Sequence, residues 1–278
     1  IIHTFHGFHY EALSTLTQWL HLLTEQLLAL MTSQHIFVSM GEKKRAQVIK
    51  FLDEENSTII HNGVDYKYIQ NLDIDRKAVL KSIDCEDWER NKILGTISRL
   101  SPEKGILDLL SGFSQVIQSE PDLKLMIVGG YPEEHKDYYL KAKSLIEREQ
   151  LTEHVRILGY RQDALKILKC MNFYISPSLS EGLPISLLEA FAAGIPSIAT
   201  EIPGNKDILS NSDFGILSDP GSPKSVAQGI RKMLALSERE RNIITQNAFN
   251  RIKDSFSVAT MADETFQLYR QVLNKART

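Results

Sequence analysis

Apolar side chains recur at positions 13, 16, 20, 23, 27 and 30, the spacing of an amphipathic helix, and they follow a short β-like run at 1–5. A second apolar run at 36–39, a helical stretch over 42–52 and a third run at 57–60 come next. This alternation predicts strand, helix, strand, helix, strand, the pattern of a parallel sheet. Beyond Asp65 the chain turns acidic and loses its period through Asp84-Cys85-Glu86-Asp87, which predicts an irregular linker.

A longer alternation starts at Ile93. Strands are predicted over 93–98, 125–128, 155–158, 173–176, 196–200 and 214–217. Between the first two lies a helix with apolar positions 106, 109, 110, 113, 116 and 117, and a charged helix is predicted over 134–148. Helices over 223–236, 238–252 and 258–275 close the chain, the last expected to pack back on the first domain. Short apolar strands each followed by a helix form the doubly wound α/β signature. The division predicted is a partial amino-terminal domain with linker over 1–88 and a complete second domain over 89–278. The first part supplies only half of such a domain, and the chain opens without Met, so an upstream portion is expected to be missing.

Composition narrows the function classes. The 278 residues are 42% hydrophobic and 24% charged, as in a globular protein. With 32 basic against 35 acidic residues the net charge is -3, which gives no electrostatic footprint for nucleic acid. Cys85 and Cys170 show no ligand spacing, which predicts a reducing, cytoplasmic setting and no structural zinc. The most apolar stretch, 16–31, is broken by Gln18, His21, Glu25 and Gln26 and cannot supply the roughly 20 apolar residues of a membrane span.

Ligands of open parallel sheets bind at the carboxyl ends of the strands, and two loops there carry candidate chemistry. The first places Arg99 and Lys104 ahead of Gly105. Two cations there either neutralise a diphosphate, Arg as a fork and Lys as a point charge, or decorate a solvated turn. The second loop runs from Ser178 through Glu181, Gly182, Leu183 and Pro184 to Glu189. Pro184 suits the first turn of a helix, so free amides face an anion while Glu181 and Glu189 flank one bound molecule. Read alone, the same residues describe a helix with acidic groups near its positive end.

Taken together, the two loops resemble the family-4 retaining glycosyltransferases, whose GT-B fold sets two Rossmann-like domains face to face. Arg99 to Gly105 looks like that family's diphosphate loop, and Glu181 with Glu189 reproduces its pair of glutamates seven residues apart. Ile60 to Asp65, Ile127 to Gly130, Leu158 to Tyr160 and Ala193 to Ile198 agree in order, so the resemblance spans essentially the whole chain. It implies a metal-independent hexosyltransferase without a cofactor, whose donor is a nucleotide-diphosphate sugar, UDP-linked first and GDP-mannose second. Arg99 and Lys104 would hold the donor diphosphate, and Glu189 the ribose hydroxyls. Glu181, with the backbone of Gly182 and Leu183, would face sugar and phosphate, and Tyr160 and Arg161 the base. His6, at the end of the opening strand, would contact the donor sugar. A glycan or lipid-linked acceptor, a place in polysaccharide or glycolipid synthesis and peripheral contact with the inner membrane face are implied by the same analogy.

The residues also offer other readings. His3, His6 and His9 recur at spacing three, yet strand alternation puts His3 and His6 on opposite faces, and no fourth ligand follows. Asp73 and Asp75 form a D-x-D among Asn71, Arg76 and Lys77, which reads as solvated surface. A dinucleotide oxidoreductase needs G-x-G-x-x-G after a strand and an acidic residue some 20 positions on, and neither is present. The other alternative is that this chain, expected to lack half of its first domain, is an inactive nucleotide-binding fragment or scaffold without turnover.

Overall fold

The computed structural model describes residues 1–7, 15–49, 52, 54–211 and 213–275. The first part forms a parallel sheet, β1 (Ile2–Phe5), β2 (Gln34–Phe37) and β3 (Ser57–Ile59), in the order β1-β2-β3. Phe5 pairs with Phe37 in register, and their rings stack with centroids 4.8 Å apart. Helix α1 (Thr15–Met31) connects the first two strands; position 13 lies outside the described residues. Helix α2 (Met40–Ala46) starts where Ser39 accepts from the Glu42 amide, and it ends well short of residue 52.

The second part holds six parallel strands: β4 (Lys92–Ile97), β5 (Leu123–Val128), β6 (Val155–Ile157), β7 (Phe173–Ser176), β8 (Ser197–Thr200) and β9 (Ile216–Ser218). Their spatial order is β6-β5-β4-β7-β8-β9, so the direction of winding reverses between β4 and β7. Alternate residues face opposite layers: Leu125, Ile127 and Ile175 join one buried cluster, and Met126, Val128 and Tyr174 the other. That explains the near-continuous apolar strands, which must satisfy helices on both faces. One face is covered by α5 (Ile106–Ile117), α6 (Lys136–Arg148) and α10 (Pro223–Ala235), and the other by α8 (Ile185–Ala192) and α11 (Glu238–Ser255). A fully buried Phe113 or Leu110 contributes about 1.5–3 kcal/mol each to this packing.

The stretch expected to be an irregular linker is folded. It forms α3 (Tyr66–Asn71), α4 (Arg76–Lys81) and a 3-10 turn at Glu86–Trp88. Leu80, Cys85 and Trp88 are buried in the same cluster as Met126 and Tyr174. Asp65 and Asp75 cap the two helices through the amides of Tyr68 and Ala78. Short capped helices of six residues carry too few turns to show a period, and the capping Asp65 and Asp75 add to the acidic composition. Helices α7 (Ala164–Leu168) and α9 (Pro203–Leu209) follow β6 and β8 as the alternation predicts, but at five and seven residues they are too short for a period to mark their bounds. The last helix, α12 (Val258–Lys275), brings Leu268 and Met261 against Ile2, Ile36 and Ile60 of the first sheet. Among the described residues no helix is long and apolar enough to cross a membrane.

Candidate functional site

The reversal between β4 and β7 opens a crevice at their carboxyl ends, where doubly wound sheets bind ligands. The two candidate loops leave the sheet there. After β4 a 3-10 turn, Pro102–Lys104, ends at Gly105, whose φ of +64° is left-handed. A Cβ at Gly105 would lie 2.1 Å from the Pro177 carbonyl oxygen, so only glycine lets the first loop touch the second. The Leu179 amide donates to the Glu103 carbonyl at 2.8 Å, which ties the two loops together again.

Side chains then meet across that seam. Lys104 Nζ lies 2.7 Å from Glu181 Oε1, both side chains largely enclosed, and the Ser178 hydroxyl donates to the same oxygen at 2.7 Å. Arg99 stays on its own loop, 65% exposed, with its guanidinium 3.4 Å from Glu103 Oε1. Glu103 also accepts the Ser101 hydroxyl. Burial would raise the Glu103 carboxyl, but this hydrogen bond and the neighbouring cations hold it below the usual range.

Pro184 occupies the N-cap of α8, one place before the first turn predicted for it. Glu189 projects from this helix into a region where burial pushes its carboxyl up to about 7, and among the described residues no cation or hydrogen-bond donor is set against it. Buried Tyr174 donates to Ser186 Oγ at 2.8 Å and hydrogen-bonds the Ile97 backbone, joining β4, β7 and α8 at the switch point. Burial pushes that phenol well above its ordinary range.

The opening strand reaches the same loop through its backbone. A Cβ at Gly182 would sit 2.5 Å from the His6 carbonyl oxygen, so the end of β1 lies directly on the Glu181-Gly182 turn, while the His6 side chain is exposed. Asn62 adds a contact from the first part, its Nδ2 donating to the Leu183 carbonyl at 3.3 Å. The predicted base-binding turn sits at the ends of β5 and β6, where the Gly129 amide donates to the Gly159 carbonyl at 2.8 Å. Tyr160 is 79% exposed beside Gly130. Arg161 is committed to Asp163 through two hydrogen bonds of 2.8 Å.

The structure thus joins Lys104, Glu181, Gly182, Leu183 and the His6 backbone at one seam. It leaves Arg99 on the rim and Tyr160 with Arg161 further along the sheet. Sequence reasoning passed over Ser178, Tyr174 and Asn62. Ser178 stood at the head of the quoted loop, three residues before Glu181, and that spacing was the available signal. His3 lies 3.9 Å from Glu25, while His9, along with Phe8 and Tyr10, falls outside the described residues. Among the described residues no group of three or more His, Cys, Asp or Glu is placed to hold a metal ion. Both cysteines are buried free thiols pushed up to about 11, which removes them as nucleophiles at neutral pH.

Known proteins resemble this chain in sequence and in fold. Residues 85–251 match the family model described as glycosyl transferases group 1. The chain is 26% identical to the Escherichia coli UDP-Gal:alpha-D-GlcNAc-diphosphoundecaprenol alpha-1,3-galactosyltransferase, over 99% of its own length and 70% of that protein. It is 22% identical to the Staphylococcus aureus capsular polysaccharide biosynthesis glycosyltransferase CapM, over 99% of its length and 71% of that protein. Among solved structures, Anabaena HepE in complex with UDP and glucose superposes with a TM-score of 0.87 at 22% identity, covering 97% of this chain and 71% of that one.

Proposed function

Because the chain belongs to the glycosyl transferases group 1 family, we propose that it moves a sugar from a nucleotide-diphosphate sugar, a UDP-hexose, to an acceptor hydroxyl with retention of configuration. The observation that carries this reading is the meeting of Lys104 and Glu181 at 2.7 Å at the switch point of the second sheet. A cation and a carboxylate side by side suit a ligand that presents a phosphate next to sugar hydroxyls. The E. coli relative's name specifies a UDP-sugar donor and a diphospholipid acceptor, and HepE was solved with UDP and glucose.

In this mechanism negative charge builds on the departing diphosphate, and Lys104 with Arg99 receives it. A fixed donor aimed at developing charge contributes about 3–4 kcal/mol. Arg99 swings in from the rim, since its 3.4 Å contact with Glu103 is an exposed pair worth little. Glu189, once ionised, accepts from the ribose hydroxyls. The Gly182 and Leu183 backbone precedes α8 and faces the phosphate, and Glu181 turns its free oxygen to the sugar. His6 closes over the sugar from the first part, and Tyr160 offers its exposed ring to the base. The acceptor attacks from the face the diphosphate leaves, and a phosphate oxygen takes its proton, so no enzymic nucleophile is required. The acceptor is a glycan or lipid-linked glycan, met at the cytoplasmic membrane surface.

Calorimetry with UDP, GDP and UDP-glucose, and a transfer assay on the same preparation, test the reading. Binding of UDP or UDP-glucose with transfer supports it. Binding without transfer selects the non-catalytic nucleotide-binding alternative, and failure to bind any of the three overturns the donor-site assignment.

A further inference from the structure

Glu181 is held from a distance in sequence as well as by its own loop. Its Oε1 accepts the hydroxyl of Ser178, which is itself buried. The carbonyl of Ser178 accepts from Thr200 Oγ1, at the end of β8. Asn205, on α9, sets its amide nitrogen 2.9 Å from the Thr200 carbonyl and 3.1 Å from Thr200 Oγ1. Both Thr200 and Asn205 are buried.

The direction of each bond follows from chemistry. A carbonyl oxygen only accepts, so the group Asn205 presents to Thr200 is its NH2. Thr200 Oγ1 accepts from Asn205 and passes its own hydrogen to the Ser178 carbonyl, and Ser178 passes its hydroxyl hydrogen to Glu181. The Asn205–Thr200 and Thr200–Ser178 bonds are buried, where an unmade bond is costly, and among the described residues Asn205 Oδ1 finds no partner, so the Asn205 amide is held in place by its NH2 bonds to Thr200. Helix α9 backs the same turn sterically. A Cβ at Gly204 would lie 2.5 Å from the Gly182 carbonyl oxygen and 2.7 Å from that of Glu181.

We infer that Asn205, Thr200 and Ser178 are positioning residues that fix the Glu181 carboxylate for the sugar half of the donor without touching the donor themselves. This rests on the donor reading above. Lys104 alone would let Glu181 pivot about one ion pair. The Ser178 hydroxyl adds a second fixed bond to the same oxygen, which leaves Oε2 aimed for a sugar hydroxyl. A site held this way depends on its supporting bonds to within fractions of an ångström.

The test compares Kd for UDP and for UDP-glucose, with kcat and KM, in the wild type and in Thr200→Val, Thr200→Ser, Ser178→Ala and Asn205→Ala. Thr200→Val keeps the shape and removes the hydroxyl, whereas Thr200→Ser keeps the hydroxyl. Thr200→Val, Ser178→Ala and Asn205→Ala should lower kcat roughly tenfold or more, while UDP affinity stays within about twofold of wild type. The affinity difference between UDP-glucose and UDP should collapse in those three, and Thr200→Ser should restore both the difference and the rate. Should Thr200→Val or Asn205→Ala not fold, Ser178→Ala alone decides, because its hydroxyl bonds Glu181 directly. The split in binding is sufficient in a preparation that does not turn over. Parallel loss of UDP and UDP-glucose, or a Thr200→Ser variant as impaired as Thr200→Val, overturns the inference. A wild type that binds neither probe overturns the donor reading and this inference with it; a wild type that binds both, with variants showing no split, overturns this inference alone.

Discussion

Lys104 Nζ and Glu181 Oε1 stand 2.7 Å apart although 77 positions separate them in the chain. The cation of the first loop is thereby balanced by the carboxylate of the second, and on the proposed reading a donor phosphate shares Lys104 with Glu181.

Lys104→Ala is therefore expected to act twice. Transfer should fall roughly 100-fold or more through loss of charge stabilisation. Stability should fall as well, because Glu181 keeps only its Ser178 hydrogen bond; the coupling between Lys104→Ala and Glu181→Ala in a double-mutant cycle is expected at about 1 kcal/mol. Arg99→Ala, on the exposed rim, should lower transfer similarly and leave the urea midpoint unchanged. Near wild-type turnover in either single variant would remove that residue from the diphosphate site.

Gly182 and Gly194 give a paired steric prediction. A methyl at Gly182 would lie 2.5 Å from the His6 carbonyl oxygen and must push the end of β1 off the loop. Gly182→Ala should cost transfer tenfold or more by an order-of-magnitude argument from misplacement of the site. Gly194 has φ +71° with open space around it, so Gly194→Ala should cost about 1 kcal/mol of backbone strain and leave transfer intact. Equal transfer in both variants would show that the β1 contact plays no part in the reaction.

The contrast between these two glycines shows what a sequence carries. The strands β4, β5 and β7 were legible because burial on both faces leaves an unbroken apolar run. Lys104 and Glu181 were legible as types in loops, yet their pairing depends on the touch between Gly105 and Pro177, which no period encodes. Nor did spacing show that Arg161 is taken up by Asp163 or that Arg99 stays on the rim, since a charge in a loop looks the same whichever way it turns. The segment 65–88 misled for a related reason: Asp65 and Asp75 cap helices only six residues long, and such short capped turns read in sequence like a linker.

Metal dependence is a further check. Asp75 is occupied as a helix cap, its Oδ1 accepting the Ala78 amide at 3.1 Å, and in the proposed mechanism Lys104 and Arg99 take the part a divalent cation would play at the diphosphate. Transfer should persist in excess EDTA. Loss in chelator with recovery on adding Mn²⁺ would contradict the two-cation mechanism.

Glu189 ties stability to pH. Its carboxyl is pushed up from 4.5 to about 7 by burial, whereas in the unfolded chain it titrates in the ordinary range. Below 4.5 both states hold the proton and the group contributes nothing. As pH rises toward 7 the unfolded state releases its proton while the native state keeps it, so stability declines across that window. Above it both states are ionised and the whole penalty, on the order of 3 kcal/mol, is in place. Glu189→Gln removes the charge but leaves buried amide hydrogens, so it should gain about 1–2 kcal/mol at pH 8 and nothing near pH 4.5. Urea unfolding at the two pH values measures this, and an unchanged difference between them would show that Glu189 is not the group responsible. The same variant should bind UDP more weakly, because an ionised carboxylate accepts from two ribose hydroxyls and an amide oxygen does so less strongly. Stability gained and affinity lost from one substitution is the mark of a residue kept buried for a ligand, whereas a merely structural carboxylate would move the two in the same direction or not at all.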